Sequence, residues 1–159
     1  MATDPVVTSL ARSKLFQGLD SPRLESIRGR GRILTVAPSE LVVEEGQPST
    51  SLFAIVDGEL EVFLPKTSDR FTRVGIATLG PGDCIGEYAF IDDEPASASV
   101  AATRPTQLFT MAKIDFQLLL ESDPAIGRIV YRNLLLLLVT RLREGNRQLD
   151  LFRPTSASR

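Results

Sequence analysis

Between Arg32 and Ala112 the chain is a succession of short apolar runs separated by turn-forming residues, and this succession constrains the fold more than any other feature. The runs are "RILTV", "LVV", "LFAIV", "LEVFL", "RVGIATL", "SASVAA" and "QLFTMA", with "APSE", "EEGQPS", "DG", "PKTSD" and "GPGD" among the separators. Each run has the length and the β-branched content of a strand, and each separator can reverse the chain. Many short strands joined by such turns predict a sandwich, jelly roll or barrel. The segment "VDGELEV" reads as the clearest hairpin, with Asp57-Gly58 supplying the positive φ of a tight turn.

The flanks are helical. From Thr8 to Ile27, Leu10, Leu15, Leu19, Leu24 and Ile27 recur at helical spacings, broken by Gly18 and by "DSP". Two short helices follow, the second capped by Asp20 or Ser21 with Pro22 in its first turn. After the strands, "DFQLLLESDP" predicts a short helix that stops before Pro124, and a long helix runs from Pro124 to about Phe152.

Two apolar faces lie on that long helix. Tyr131, Leu135, Leu138, Leu142, Gly145, Leu149 and Phe152 recur at alternating spacings of 4 and 3, the repeat of a coiled-coil seam. Ile126, Val130, Leu134 and Leu137 form a neighbouring stripe. A helix apolar on two sides needs two covers, and the simplest arrangement sets one face on the β domain and the other on a second copy of the chain. A homodimer with Tyr131, Leu135, Leu138, Leu142 and Leu149 in its seam is therefore expected, against the alternative of one core helix in a monomer. Residues 1–152 are read as a single domain and 153–159 as a disordered tail.

Composition narrows the function. With 18 basic and 20 acidic residues the net charge is −2, which gives no electrostatic footprint for DNA or an anionic membrane. The chain has no histidine and one cysteine, Cys84, which disfavours the usual zinc, haem and Ser-His-Asp sites and rules out an internal disulfide. No catalytic residue and no metal ligand is expected; the Asp92-Asp93-Glu94 run reads as solvated acids on a turn. The longest apolar run, Leu134 to Val139, is far short of the ~20 residues that span a bilayer, and the N-terminus lacks an apolar signal region, so a cytoplasmic protein is expected.

The segment with chemical content is "GPGDCIGEYAFIDDEP". Gly80, Gly82 and Gly86 let the backbone turn sharply, and Glu87 to Phe90 can form one helical turn with Glu87 as an acceptor for hydroxyls. No Lys or Arg occurs from Val74 to Thr103. Locally, the same pattern also describes a plain surface loop.

The order of elements adds to this. The lead-in "LFQGLDSPRLESI", the run "EEGQPSTSLFAIVDGELEVF", the turn "LGPGDCIGEYAF", the segment "PASASV" and the long final helix together resemble the cyclic-nucleotide-binding domain of catabolite activator proteins, protein kinase A regulatory subunits and cyclic-nucleotide-gated channels. The resemblance covers roughly Leu10 to Leu149. It implies an eight-stranded β-roll or jelly-roll barrel, mainly β, with N-terminal helices and a long C-terminal helix. It further implies a phosphate-binding cassette, in which a glutamate takes the ribose 2′-hydroxyl and an arginine ahead of a small-residue pair takes the cyclic phosphate. Gly86 and Glu87 match, Tyr88 and Ala89 offer backbone N–H groups, Ser97-Ala98 match the small pair, and Ser99 is a further hydroxyl. The arginine position is occupied by Ala96.

On this reading cAMP or cGMP is the implied ligand, with binding weakened by the absent arginine. Each of Arg70, Arg73, Arg128 and Arg132 reads first as a solvated surface cation; the alternative is that one of them substitutes for the missing arginine, or pairs with Glu87 when the pocket is empty. The implied function is a non-catalytic, stand-alone regulatory module with weak or altered ligand binding that acts through an unidentified protein partner. The alternatives are a genuine cAMP or cGMP sensor and the regulatory part of a catabolite-activator-type transcription factor. Only "DLFRPTSASR" follows the seam, so direct DNA binding is not expected.

Overall fold

The computed structural model describes residues 4–151; Phe152 and the tail expected to be disordered lie outside the described residues. Two antiparallel four-stranded sheets face each other. One has the order β1 (Arg32–Val36), β8 (Thr106–Ala112), β3 (Ser51–Asp57), β6 (Cys84–Ile85); the other runs β2 (Leu41–Val43), β7 (Ser99–Ala102), β4 (Leu60–Leu64), β5 (Val74–Leu79). The seven runs seen in the sequence are all strands, and the eighth, β6, is a two-residue pairing of Cys84 and Ile85 with β3. This is the eight-stranded jelly-roll arrangement with helices before and after it.

The hairpin expectation at "VDGELEV" is corrected. β3 pairs with β8 and β6 while β4 pairs with β5 and β7, so the Asp57-Gly58 corner carries the chain from one sheet to the other. Asp57 is not among the positive-φ residues and Gly58 is, at 107°, so the corner lacks the two left-handed positions of a hairpin turn. Gly58 is also required sterically: a Cβ there would lie 2.5 Å from the Thr106 Cα. Thr106 Oγ1 accepts from the Glu59 N–H at 3.0 Å, fixing the corner against β8.

Alternation along the strands divides the apolar side chains into two clusters. Val36, Ile55, Leu60, Ile85, Val100, Ala102 and Leu108 fill the space between the sheets. Leu52, Ala54, Phe109 and Met111 point the other way, onto the helices. The helices are α1 (Pro5–Arg12), α2 (Ser21–Gly29), α3 (Lys113–Ser122) and α4 (Pro124–Leu151), with a 3₁₀ turn at Tyr88–Phe90. Sequence placed the first helix from Thr8; it starts at Pro5, because the Asp4 carboxylate accepts from the Val6 N–H at 2.8 Å. Asp20, not Ser21, caps α2, accepting from the Arg23 N–H at 3.1 Å.

α4 sorts its two stripes with one correction: Leu138, expected in the outward seam, is half-buried and packs against the body beside Leu137. Ile126, Val130 and Leu134 are buried against the body and Leu137 is half-buried, whereas Tyr131, Leu135, Leu142 and Leu149 are 50–68% exposed. Its position is set by Asn133, buried to 7% exposure, whose side-chain amide donates to the Leu15 carbonyl at 3.0 Å and the Gln17 carbonyl at 2.8 Å. Leucine at this position is similar in size but leaves both carbonyls without that donor. Asn133→Leu is therefore expected to lose about 1–3 kcal/mol in urea denaturation followed by circular dichroism; an unchanged midpoint would show that these bonds do not hold α4.

Candidate functional site

The cassette segment leaves β6 and passes over the end of β3. Gly86 makes this possible: its φ is 85°, and a Cβ there would lie 2.3 Å from the Ser51 carbonyl oxygen and 3.4 Å from Ser49 Oγ. No L-residue with a side chain fits that approach. The same Ser49 and Ser51, with Val42, Val43, Gln47 and Phe53, line a groove of about 270 Å³ beside the cassette. Its lining combines apolar side chains with hydroxyls, one amide and the acidic Glu44.

Beyond Gly86 the chain makes the 3₁₀ turn, with Glu87 at its start, Ala89 buried and Tyr88 41% exposed. Glu87 is 2% exposed. A carboxylate so far from water needs a positive partner or several donors. The partner is Arg141 of α4, whose Nη1 donates to Glu87 Oε1 and, at 2.8 Å, to Tyr88 Oη. The guanidinium also lies 5.3 Å from the Tyr88 ring centroid, within reach of a cation–π contact. Burial works against the charge on Arg141, but the Glu87 carboxylate and the Tyr88 oxygen outweigh it and raise its pKa further.

None of the four arginines singled out in the sequence is the partner of Glu87. Arg70 forks onto Glu45 at 3.0 and 3.2 Å, and Arg73 onto Glu61 at 2.7 and 2.9 Å while stacking on Phe63 at 3.8 Å. Arg128 and Arg132 lie exposed on the first half of α4. Arg141 had a signal that the sequence reading passed over: it continues the body-facing stripe Ile126, Val130, Leu134, Leu137 by one further step of 4.

The second part of the expected site runs from Ala96 to Ser99. Ala96 is half-buried, and its backbone is held by the turn after β2: its N–H donates to the Gln47 carbonyl at 2.9 Å and its carbonyl accepts from the Gly46 N–H at 2.8 Å. Ser97 is exposed, Ala98 half-buried and Ser99 buried, with Ser99 Oγ accepting from the Glu45 N–H at 3.0 Å. Of the acids between the two parts, Asp93 pairs with Lys113 at the start of α3. Among the described residues no group of three His, Cys, Asp or Glu could hold a metal, and no helix is long and apolar enough to cross a membrane.

The fold agrees with the comparisons to known proteins. The profile of the cyclic nucleotide-binding domain matches residues 33–123. A cyclic nucleotide-gated potassium channel of Mesorhizobium japonicum is 33% identical over 120 residues, covering 76% of this chain and 31% of the channel. The cyclic AMP receptor protein of Thermus thermophilus is 28% identical over 140 residues, covering 88% of this chain and 62% of the receptor. The chain thus spans from a third to three fifths of the length of such relatives. Among solved structures, a cyclic nucleotide-binding domain from Methylobacillus flagellatus superposes with a TM-score of 0.81 at 25% identity over 97% of this chain and 85% of that one. The Thermus thermophilus catabolite activator protein gives 0.75 at 27% identity over 87% and 62%.

Cys84, just before the cassette, is a structural thiol. Burial pushes its pKa up to about 12, against the pull of the Ser13 hydroxyl at 3.1 Å. A thiol protonated and enclosed in this way is unreactive. At about pH 8, below both its free and folded values, an aromatic disulfide reagent is expected to label Cys84 only as fast as the protein unfolds; rapid labelling of the native chain would contradict its placement.

Proposed function

The chain belongs to the cyclic nucleotide-binding domain family, and on that premise we propose that it is a non-catalytic regulatory module whose cassette binds cAMP and cGMP weakly or not at all and whose output is a protein contact. The observation that carries this reading is the charge of the cassette. The acid that resemblance assigns to the ribose hydroxyl is engaged by Arg141, and Ala96 stands where resemblance puts the phosphate-binding arginine. A cyclic nucleotide entering here would have to displace a buried ion pair and would find no basic residue between Val74 and Thr103. The matched relatives are regulators and channels, which accords with a non-enzymatic role.

Loss of one member of a buried charge pair costs about 2–5 kcal/mol, and each ~1.4 kcal/mol is tenfold in affinity. Calorimetry on the wild-type chain is accordingly expected to give dissociation constants weaker than about tens of micromolar for both nucleotides, with Ala96→Arg tightening them by at least ~30-fold. Nanomolar binding by the wild type would end this reading.

The exposed seam of α4 supports a homodimer as the form in which the module acts. Tyr131, Leu135, Leu142 and Leu149 present an apolar stripe over about five turns, more than a lone soluble helix usually leaves in water. Pairing two copies about a two-fold axis covers both stripes at once. Light scattering is expected to report about twice the 17.4 kDa chain mass for the wild type and the monomer mass for Leu142→Asp. A monomeric wild type at high concentration would refute the dimer.

A further inference from the structure

Arg141 does more than neutralise Glu87, since its surroundings are those of a bound ligand. Its terminal nitrogen is held by a carboxylate that is 97% buried at the side chain and by the Tyr88 hydroxyl, and the ring of the same tyrosine lies beside the guanidinium plane. A buried carboxylate, a phenolic oxygen and an aromatic ring around one cation are the groups that recognise guanidinium elsewhere in proteins. We propose that the cassette of this chain has become a guanidinium-binding site, occupied here by Arg141 of its own α4 and open to exchange with a guanidinium from outside. This rests on the reading that the cassette has lost its phosphate affinity.

Three further observations favour exchange over a permanent structural pair. The Arg141 side chain is 35% exposed, so solvent and solutes reach the stem while the carboxylate stays dry. Arg141 also lies at the edge of the packed part of α4. The last buried side chain is Leu134 and the last half-buried apolar ones are Leu137 and Leu138, beyond which Leu142, Leu149 and Leu151 are exposed. Withdrawing Arg141 therefore breaks a polar anchor of the outer half of α4 without opening the core. Finally, the segment from Val74 to Thr103 has no basic residue of its own; Asp83 and Asp93 are met by Lys14 and Lys113 from outside it, and with Arg141 withdrawn Glu87 and the exposed Asp92 and Glu94 would favour a cation over an anion there. A guanidinium ligand competes with Arg141 for Glu87, and its binding is linked to release of that part of α4.

Chemical rescue tests this. Arg141→Ala removes the resident cation and leaves Glu87 buried without it. Millimolar ethylguanidinium chloride, added to the full chain at neutral pH, is expected to raise the thermal midpoint of Arg141→Ala saturably by about 2–4 °C. Ethylurea, which has nearly the same shape without the charge, is expected to have no such effect. The wild type, already occupied, is expected to respond by less than about a third as much at the same concentration, and Arg141→Ala with Glu87→Gln to lose the response. Arg141→Met, which keeps an apolar stem over Tyr88, carries the same test should the alanine variant not fold.

A peptide arm separates the sources of the guanidinium. Rescue by the free cation alone points to a small molecule; rescue also by an arginine tripeptide blocked at both ends points to an arginine displayed on a partner; either supports the site. The proposal is overturned if ethylurea works as well as ethylguanidinium, if the wild type or the Glu87→Gln double variant responds equally, or if neither single variant responds. Nucleotide titrations of the wild type are a separate measurement, so tight cAMP binding would sink the reading of the cassette without bearing on the rescue data.

Discussion

The structure around the cassette depends on burying one carboxylate. Glu87 lies under the 3₁₀ turn, almost without exposure to water, and a carboxylate in that position costs several kcal/mol unless a cation meets it. No basic residue of the local sequence is available, so the cation arrives from a helix 54 positions later. That fixes where α4 must pass. Asn133 holds its first half against the Leu15 and Gln17 carbonyls, and Arg141 holds it where the apolar stripe ends. The two anchors lie 8 residues apart, about 12 Å along the helix, and the contact with the body is confined largely to the stretch before the second.

The remainder of the fold follows from ordinary alternation and was largely legible. The seven apolar runs are seven strands, the Pro-bounded segments are the helices, and the two stripes of α4 separate into a buried and an exposed face except at Leu138, which packs on the body. The failures have physical causes. β6 is two residues long, too short for any periodic signal, and it exists because the Gly86 approach lays the chain beside β3. The "DG" corner has the composition of a hairpin, but the strand after it pairs in the other sheet, and a two-residue pattern carries no information about which sheet its partners belong to.

The cassette was legible in its backbone, and what the sequence reading lacked was the counter-ion of Glu87. Gly86 and Glu87 are required by a steric approach and a buried charge that the residues themselves announce. The counter-ion was sought near the cassette and near the start of α4, at Arg70, Arg73, Arg128 and Arg132. Arg70 and Arg73 are consumed by Glu45 and Glu61, and the hydrogen bonds from these arginines hold both carboxylates below their usual range despite some loss of hydration. Periodicity held the answer: 126, 130, 134, 137 and 141 form one stripe, and an arginine that ends an inward stripe is positioned to meet a buried acid.

The placement of Arg141 has a mechanical consequence. The next residue, Leu142, is 66% exposed and belongs to the outward seam, so neighbouring positions on one helix face the cassette and the solvent-exposed stripe. A helix transmits rotation and translation almost rigidly over one or two turns, and adjacent residues cannot move independently. A tilt or turn of the segment carrying Leu142 and Leu149 would therefore also displace the Arg141 backbone relative to Glu87. Beyond Leu138 the apolar side chains Val139, Leu142, Leu149 and Leu151 are exposed, whereas Ile126, Val130 and Leu134 before it share a core cluster with Phe116, Leu119 and Leu120 of α3. In this chain, the cassette is joined to the helix that carries the seam by the Glu87–Arg141 ion pair, at the place where the helix leaves the core.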